Sequence, residues 1–186
     1  MKTSFFTLLF VLSLSSVFCQ EQAEKQAKLT LIETVANKTI QIEGNISNGN
    51  VMEDLSWAWN SSVACFPETQ VDKFKGKHVL FMADVPKYTE FVITLIPDDP
   101  SANFSIYAYE VGKVTNNNLV PNLKSCIRCE VDHIWDAPHR GKTQDHTRIV
   151  KYILAINNPY QAVIGVVGPK GAEEGGFKLQ IERKGK

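Results

Sequence analysis

The chain has 186 residues, of which 44% are hydrophobic and 22% are charged, an ordinary composition for a globular protein. Lysine plus arginine and aspartate plus glutamate each number 20, so the formal net charge is zero. A neutral protein has no long-range field to attract DNA, RNA or anionic lipid, and we therefore exclude nucleic-acid binding from the expected functions.

The first 19 residues have the features of a secretory signal peptide. Lys2 supplies the positive start, residues 5–14 form an apolar core, and cleavage after Cys19 would expose a polar new terminus. The alternative is a lipoprotein acylated on Cys19, but the residue before it is larger than those that normally precede a lipidated cysteine. The apolar run is shorter than the roughly 20 residues that span a bilayer, so we expect no transmembrane segment in the mature chain. We predict a secreted or periplasmic protein with a flexible leader at residues 20–28.

From Leu29 onward the pattern is that of β-strands. Short apolar or alternating runs are separated by clusters of Gly, Pro, Asn and Asp, without a convincing amphipathic helix between them. This spacing predicts one all-β domain over residues 29–186, an antiparallel β-sandwich of about eight strands. Residues 51–59 fit either a strand or a helical turn. The predicted strands cover residues 29–34, 39–43, 77–83, 90–96, 103–111, 148–156, 160–167 and 177–181.

Two segments resemble a known family. PDDPSANFSIYAYEVG at residues 97–112 places an acidic turn before an alternating aromatic strand, and NPYQAVIGVVGPKGAEEGGFKLQIE at residues 158–182 places a Gly-rich turn between two strands. With the hairpin at residues 77–97, these segments resemble the bacterial pre-peptidase C-terminal domain family. The resemblance implies a jelly-roll-like β-sandwich that is usually a non-catalytic accessory of a secreted enzyme. By analogy alone, it also suggests a partnership with a secreted peptidase.

Most of the side chains able to do chemistry are concentrated between residues 125 and 148. This stretch contains Cys126 and Cys129 together with three of the four histidines. Export places these two cysteines and Cys65 in oxidising surroundings, where an odd number of thiols leaves one free or paired between chains. Two pairings stay open: a local disulfide between Cys126 and Cys129, or a disulfide from Cys65 to this stretch.

A metal site is the alternative use of the same residues. Cys126, Cys129 and His133, with His139 or His146 as a fourth ligand, offer the thiolate and imidazole donors that suit zinc or copper. A second possibility is a calcium site near the strand ends, where carboxylates supply oxygen ligands. Its candidate ligands are Asp84, Glu90, Asp98 and Asp99.

Five aromatic residues are candidates for a sugar-binding face, because a flat ring stacks on the apolar face of a pyranose. On a strand, Tyr107 and Tyr109 point to the same side, as do Trp57 and Trp59, and Trp135 is the fifth candidate. The competing interpretation places these rings in the core. For the two tyrosines, that interpretation requires both faces of their strand to be covered.

Adjacent acid–histidine pairs are the main signal for catalysis, and a hydrolase would add a serine such as Ser125. The sequence contains no G-x-S-x-G motif, so we predict that the protein is not an enzyme. Our first hypothesis is a secreted binding module that recognises a polysaccharide or a protein surface, and the alternative is a metal-binding protein. The acid–histidine pairs are Asp132 with His133, Asp136 with His139, and Asp145 with His146.

Overall fold

The structure is a computed structural model that describes residues 29–134, 140–141 and 143–185. The predicted signal peptide at residues 1–19 and the leader at residues 20–28 lie outside the described residues. Within the described ranges, no helix is long and apolar enough to cross a membrane.

The described residues form ten strands, where the sequence predicted about eight. The two additional strands are the short β3 and β7, and β7 lies inside the polar stretch that the sequence analysis left without a strand. Residues 51–59 are only briefly extended and then form the 3₁₀ helix Ser56–Trp59. The strands are β1 (Leu29–Ile32), β2 (Lys38–Asn45), β3 (Asn50–Val51), β4 (Lys77–Val85), β5 (Thr89–Pro97), β6 (Ser105–Val111), β7 (Arg128–Asp132), β8 (Arg148–Ala155), β9 (Tyr160–Val167) and β10 (Gly176–Gly185).

The strands form two sheets that pack face to face, which confirms the predicted β-sandwich. Sheet A has six strands in the order β1-β4-β9-β6-β7, with β3 also paired to β4, and sheet B has four strands in the order β2-β10-β5-β8. The prediction that the strands are antiparallel is wrong for β1, which pairs in parallel with β4 so that Leu29 lies beside Leu80. This parallel pair is possible because β2 and β3 intervene along the chain, leaving enough length for a crossover.

The first hydrophobic core lies between the two sheets. On β5, buried residues alternate with half-buried ones, so that one face points into the sandwich and the other points outward. The inward positions Phe91, Ile93 and Leu95 are completely buried and pack against Phe177 and Leu179 of the neighbouring strand β10, among others. Alternation of this kind is the pattern that the sequence analysis used to place the strands.

A second hydrophobic core lies on the outer face of sheet A. It is closed by two segments that we call the covering layer, residues 52–76 and 112–127, which include the 3₁₀ helices Ser56–Trp59 and Glu68–Phe74. As a result, all seven residues of β6 are buried, because one face of the strand meets sheet B and the other meets the covering layer. Sheet A is therefore the central layer of three.

Candidate functional site

Tyr107 and Tyr109 do not form a sugar-binding face. Both side chains are completely buried, because the covering layer closes the side of β6 to which they point. The Tyr109 hydroxyl donates a hydrogen bond to the Asn118 carbonyl and accepts one from the Val120 N–H, each at 3.2 Å. The prediction that these two tyrosines contact a ligand is therefore wrong, and their rings stabilise the second core instead.

The Tyr107 ring lies across β9 at a position where the neighbouring strand has no side chain. Tyr107 pairs with Gly165, and a Cβ added to that glycine would lie 2.0 Å from the tyrosine Cζ. The Tyr107 hydroxyl lies 3.2 Å from Nδ1 of His78, whose Nε2 lies 2.8 Å from the Phe74 carbonyl. Burial lowers the pKa of His78 to about 4, so the imidazole is neutral, donates from Nε2 to that carbonyl and accepts from the tyrosine at Nδ1.

Trp57 is also a core residue, which corrects the prediction that it contacts a ligand. Its side chain is only 4% exposed and its ring centroid lies 5.3 Å from that of Tyr107. Trp57 and Trp59 would share a face on a strand, but they stand on a 3₁₀ helix, where residues two apart point in different directions. Trp59 is half-buried and lines an open cleft.

This cleft, which we call the Trp59 cleft, has a volume of about 380 Å³. That size is within the range of about 300–1,000 Å³ that is usual for small-molecule sites. Trp57 packs behind the lining of the cleft, and its indole N–H points at the sulfur of the lining residue Met52 at 3.2 Å. The lining combines one aromatic ring, four aliphatic or thioether side chains and four charged side chains: Trp59, Val51, Met52, Leu55, Val71, Glu53, Asp54, Lys75 and Lys170.

The charged side chains of the Trp59 cleft come from three different parts of the chain. Glu53 and Asp54 follow β3, Lys75 follows the 3₁₀ helix Glu68–Phe74, and Lys170 lies in the connection between β9 and β10. Hydrogen bonds from Ser56 hold the pKa of Asp54 below its usual value, so this carboxylate is ionised at neutral pH. The cleft therefore offers both hydrogen-bond acceptors and ammonium donors around an aromatic ring.

A disulfide fixes the segment that carries the cleft. Cys65 of the covering layer is bonded to Cys129 of β7, with 4.9 Å between their Cα atoms. This is one of the two pairings that the sequence left open, and it ties residues 52–76 to the edge of sheet A. Among the cysteines of the described residues, Cys126 is the free thiol, and its Sγ lies 3.7 Å from the Val63 carbonyl. Burial raises the pKa of Cys126 to about 11, and the nearby charge of Glu110 adds to this effect, so the thiol is protonated at neutral pH.

The disulfide also contradicts the set of ligands that was predicted for a zinc site. Cys129 cannot supply a thiolate while it is bonded to Cys65, so the ligand set of Cys126, Cys129 and His133 is not available. His133 is instead held by Gln70, whose Oε1 lies 2.6 Å from Nε2 of the imidazole. Across the described ranges, no three His, Cys, Asp or Glu side chains are grouped closely enough to hold a metal ion. Trp135 and His139 lie outside those ranges.

Several of the acidic residues proposed for calcium or for the acid–histidine pairs have local structural partners, and Asp136 lies outside the described residues. Asp99 accepts a hydrogen bond from the Ser101 N–H at 2.9 Å, and Asp84 accepts one from Gln161 at 2.8 Å. Asp132 accepts the Ile149 N–H at 2.8 Å, which joins β7 to the edge of β8. Each of these contacts shapes a turn or joins two strands.

Glu110 is the least expected buried group. Its carboxylate shares the inner face of β6 with Ile106 and Ala108 and is completely buried, and neither oxygen makes an ordinary hydrogen bond within the described structure. Burial raises the pKa of Glu110 to about 7, although the charge of Arg128 opposes the rise. The sequence analysis did not identify this residue, because Glu110 occupies an ordinary position in an alternating strand.

Sequence reasoning found Trp59 but missed the rest of its cleft. Lys170 is more than 100 positions from Glu53 and Asp54 along the chain, and only the fold brings them together. Lys75 lies in a segment for which the sequence predicted no element. No motif links these residues, so the sequence contains no signal that would have assembled the site.

No protein-family model matches the chain, and no curated protein sequence matches it. Among solved structures, the pre-peptidase C-terminal domain of a collagenase from Bacillus anthracis is similar, with a TM-score of 0.38 and 10% identity over 83% of this chain and 94% of that one. PliG of Aeromonas hydrophila, a periplasmic inhibitor of g-type lysozyme, has a TM-score of 0.37 and 10% identity over 84% of this chain and 97% of that one. The first is a member of the family that the sequence resembles. Neither similarity assigns a function to this chain.

Proposed function

We propose that the protein is a secreted, non-catalytic binding domain that recognises a carbohydrate in the Trp59 cleft. The observation that carries this proposal is the position of Trp59, a half-buried ring in an open cleft of about 380 Å³ with charged side chains around it. An indole face stacks on the apolar face of a pyranose, while carboxylates accept and ammonium groups donate hydrogen bonds to its hydroxyls.

The support of the cleft favours binding without rearrangement. Trp57 contacts Met52, which lines the cleft, and also packs on Tyr107. The Tyr107 hydroxyl is in turn hydrogen-bonded to His78. The Cys65–Cys129 disulfide holds the same segment to β7. A preformed site loses little conformational entropy when a ligand binds, so weak polar contacts contribute more of their energy to affinity.

The uses of the histidines support a non-catalytic role. The His133 ring nitrogens face Gln70 and the Ile134 carbonyl, and His146 lies 2.9 Å from the Arg148 guanidinium. An acid–base catalyst needs its nitrogen directed at a substrate, whereas these nitrogens are directed at structural neighbours. The predicted signal peptide and the Cys65–Cys129 disulfide together support export, because disulfides persist in oxidising compartments.

Glycan-array binding of the wild type and of Trp59→Ala tests this proposal. We expect retention on at least one class of glycan and a loss of about tenfold in affinity for the variant, equivalent to about 1.4 kcal/mol. Tyr152→Ala is the matched control, because Tyr152 is an aromatic residue that is 58% exposed and lies on β8 of sheet B, outside the covering layer. Equal retention of the wild type and Trp59→Ala would contradict the proposal.

A further inference from the structure

The Trp59 cleft contains opposite charges that do not neutralise one another. The pKa of Asp54 is lowered by hydrogen bonds from Ser56, two residues further along the chain, and not by a lysine. Asp54 and Glu53 form no ion pair with Lys75 or Lys170, all of which are described residues. The lining therefore contains two negative and two positive side chains that are not paired with one another.

Both lysines interact with a third acidic residue, Asp72, which is not part of the cleft lining. Lys75 Nζ lies 2.6 Å from a carboxylate oxygen of Asp72, and both Lys75 and Lys170 lower the pKa of this aspartate. Because two lysines accompany one aspartate, this group of three side chains has one positive charge in excess. Since Asp72 is bonded to Lys75, the ammonium of Lys170 is the one available to a ligand.

From these unpaired charges of both signs we infer that the ligand is a sugar unit that carries both an ammonium group and a carboxylate. This inference rests on the proposed function and specifies its substrate class. The ammonium group lies toward Glu53 and Asp54, the carboxylate lies toward Lys170, and the pyranose ring stacks on Trp59. A sugar with a single charge is attracted by the side chains of one sign and repelled by those of the other, whereas a zwitterionic sugar can satisfy both.

The size of the expected effect follows from the exposure of these groups. Ion pairs at exposed positions contribute about 0.2–1 kcal/mol each, because water and salt screen the charges. Each correctly placed charge on the ligand should therefore improve affinity by about 1.4- to fivefold at low ionic strength. Two such charges together should give a preference of about 2- to 25-fold over the neutral ring.

The test uses four glucose-based probes that differ only in charged substituents. They are glucose, glucosamine with an ammonium group, glucuronic acid with a carboxylate, and 2-amino-2-deoxyglucuronic acid with both. Dissociation constants are measured by NMR titration of the full mature protein at low salt and again at high salt. The variants are Lys170→Gln, Glu53→Gln and Trp59→Ala, and Lys178→Gln is the control because Lys178 is an exposed lysine on sheet B.

We expect 2-amino-2-deoxyglucuronic acid to bind most tightly and its advantage to disappear at high salt. Lys170→Gln should remove only the part of the advantage that depends on the carboxylate, and Glu53→Gln only the part that depends on the ammonium group. Equal affinities for all four probes, together with loss of binding in Trp59→Ala, would overturn this inference but leave the proposed function intact. If no probe binds, this inference fails, and the glycan array decides the proposed function separately. If a probe binds and Trp59→Ala binds it as the wild type does, the proposed function fails as well.

Discussion

Sheet A and sheet B have strands of similar pattern but very different surroundings. β6 of sheet A is buried at every position, whereas on β5 of sheet B buried and half-buried residues alternate. The difference arises outside the strands, because the covering layer closes the outer face of sheet A and no comparable segment among the described residues closes that of sheet B. Alternation therefore shows which side chains share a face, and only the intervening segments determine which face meets water.

The open sheet shows where exposed aromatic residues are found. Tyr88 is 63% exposed, and Tyr152 is 58% exposed on the edge strand β8. Neither was considered a candidate from the sequence, whereas the buried pair Tyr107 and Tyr109 was. The tyrosines that look most like a binding face in the sequence are thus core residues, and the exposed ones lie in less regular positions.

The largest expected effect concerns the covering layer as a core. Phe74→Ala should destabilise the protein by about 3–5 kcal/mol, because Phe74 is completely buried and its ring stacks on that of Phe66 at 3.9 Å. Tyr152→Ala, on sheet B, should change stability by less than about 1 kcal/mol. Urea unfolding measures both, and similar small losses for the two variants would show that the covering layer is not part of the folded core.

The disulfide provides a second way to weaken the covering layer without altering sheet B. Cys65→Ser should lower the free energy of unfolding by about 2–4 kcal/mol, because it opens a link between residues 64 positions apart. Cys126→Ser should cost much less, since Cys126 is the free thiol. Urea unfolding of both variants, with thiol counting by mass spectrometry before reduction, checks the prediction. If Cys126→Ser is the more damaging substitution, the assigned pairing is wrong.

The pH dependence of stability tests whether the Glu110 carboxylate is buried between the two sheets. Its folded pKa of about 7 lies above the ordinary 4.5, so the folded state keeps a proton that the unfolded state loses between these values. Its contribution to stability therefore falls as pH rises from about 4.5 to 7, by on the order of 3 kcal/mol, and is constant above that range. Glu110→Gln should abolish this fall.

The measurement is the difference in stability between Glu110→Gln and the wild type across pH 4 to 8. His78, whose pKa is lowered to about 4, also titrates in the unfolded chain over this interval, but it contributes equally to both proteins and cancels. Glu182→Gln is the control, since Glu182 lies on β10 of sheet B and its side chain is 46% exposed. A difference that does not change with pH would show that Glu110 is not held in an apolar environment.

The smallest expected effect on the stability of the protein is that of Trp59→Ala in the cleft. Trp59→Ala should reduce the free energy of unfolding by less than Phe74→Ala does, because Trp59 is only half-buried, and yet it should reduce glycan binding by about tenfold. Thermal unfolding measured alongside the glycan array separates the two effects. A destabilisation as large as that of Phe74→Ala would mean that Trp59 is a core residue, as Trp57 is.

The sequence predicted the sandwich because eight of its strands have apolar alternation bounded by turn residues. It missed β7 because Arg128, Glu130 and Asp132 make this strand polar, and its residues are only half-buried at the edge of sheet A. It could not choose between the disulfide pairings, because connectivity depends on which segments the fold brings together. The Trp59 cleft could not be predicted from the sequence for the same reason, since its lining comes from distant segments.

The central claim is that the covering layer buries Trp57 and leaves Trp59 as the ring that meets a ligand. The indole N–H resonances of the ¹⁵N-labelled protein test it most directly, with Trp57→Phe and Trp59→Phe used to assign them. During titration with the best-retained glycan, the Trp59 resonance should shift, while that of Trp57, whose N–H points at the Met52 sulfur, should move much less. A shift confined to Trp57, or a titration that saturates without moving Trp59, would contradict the account.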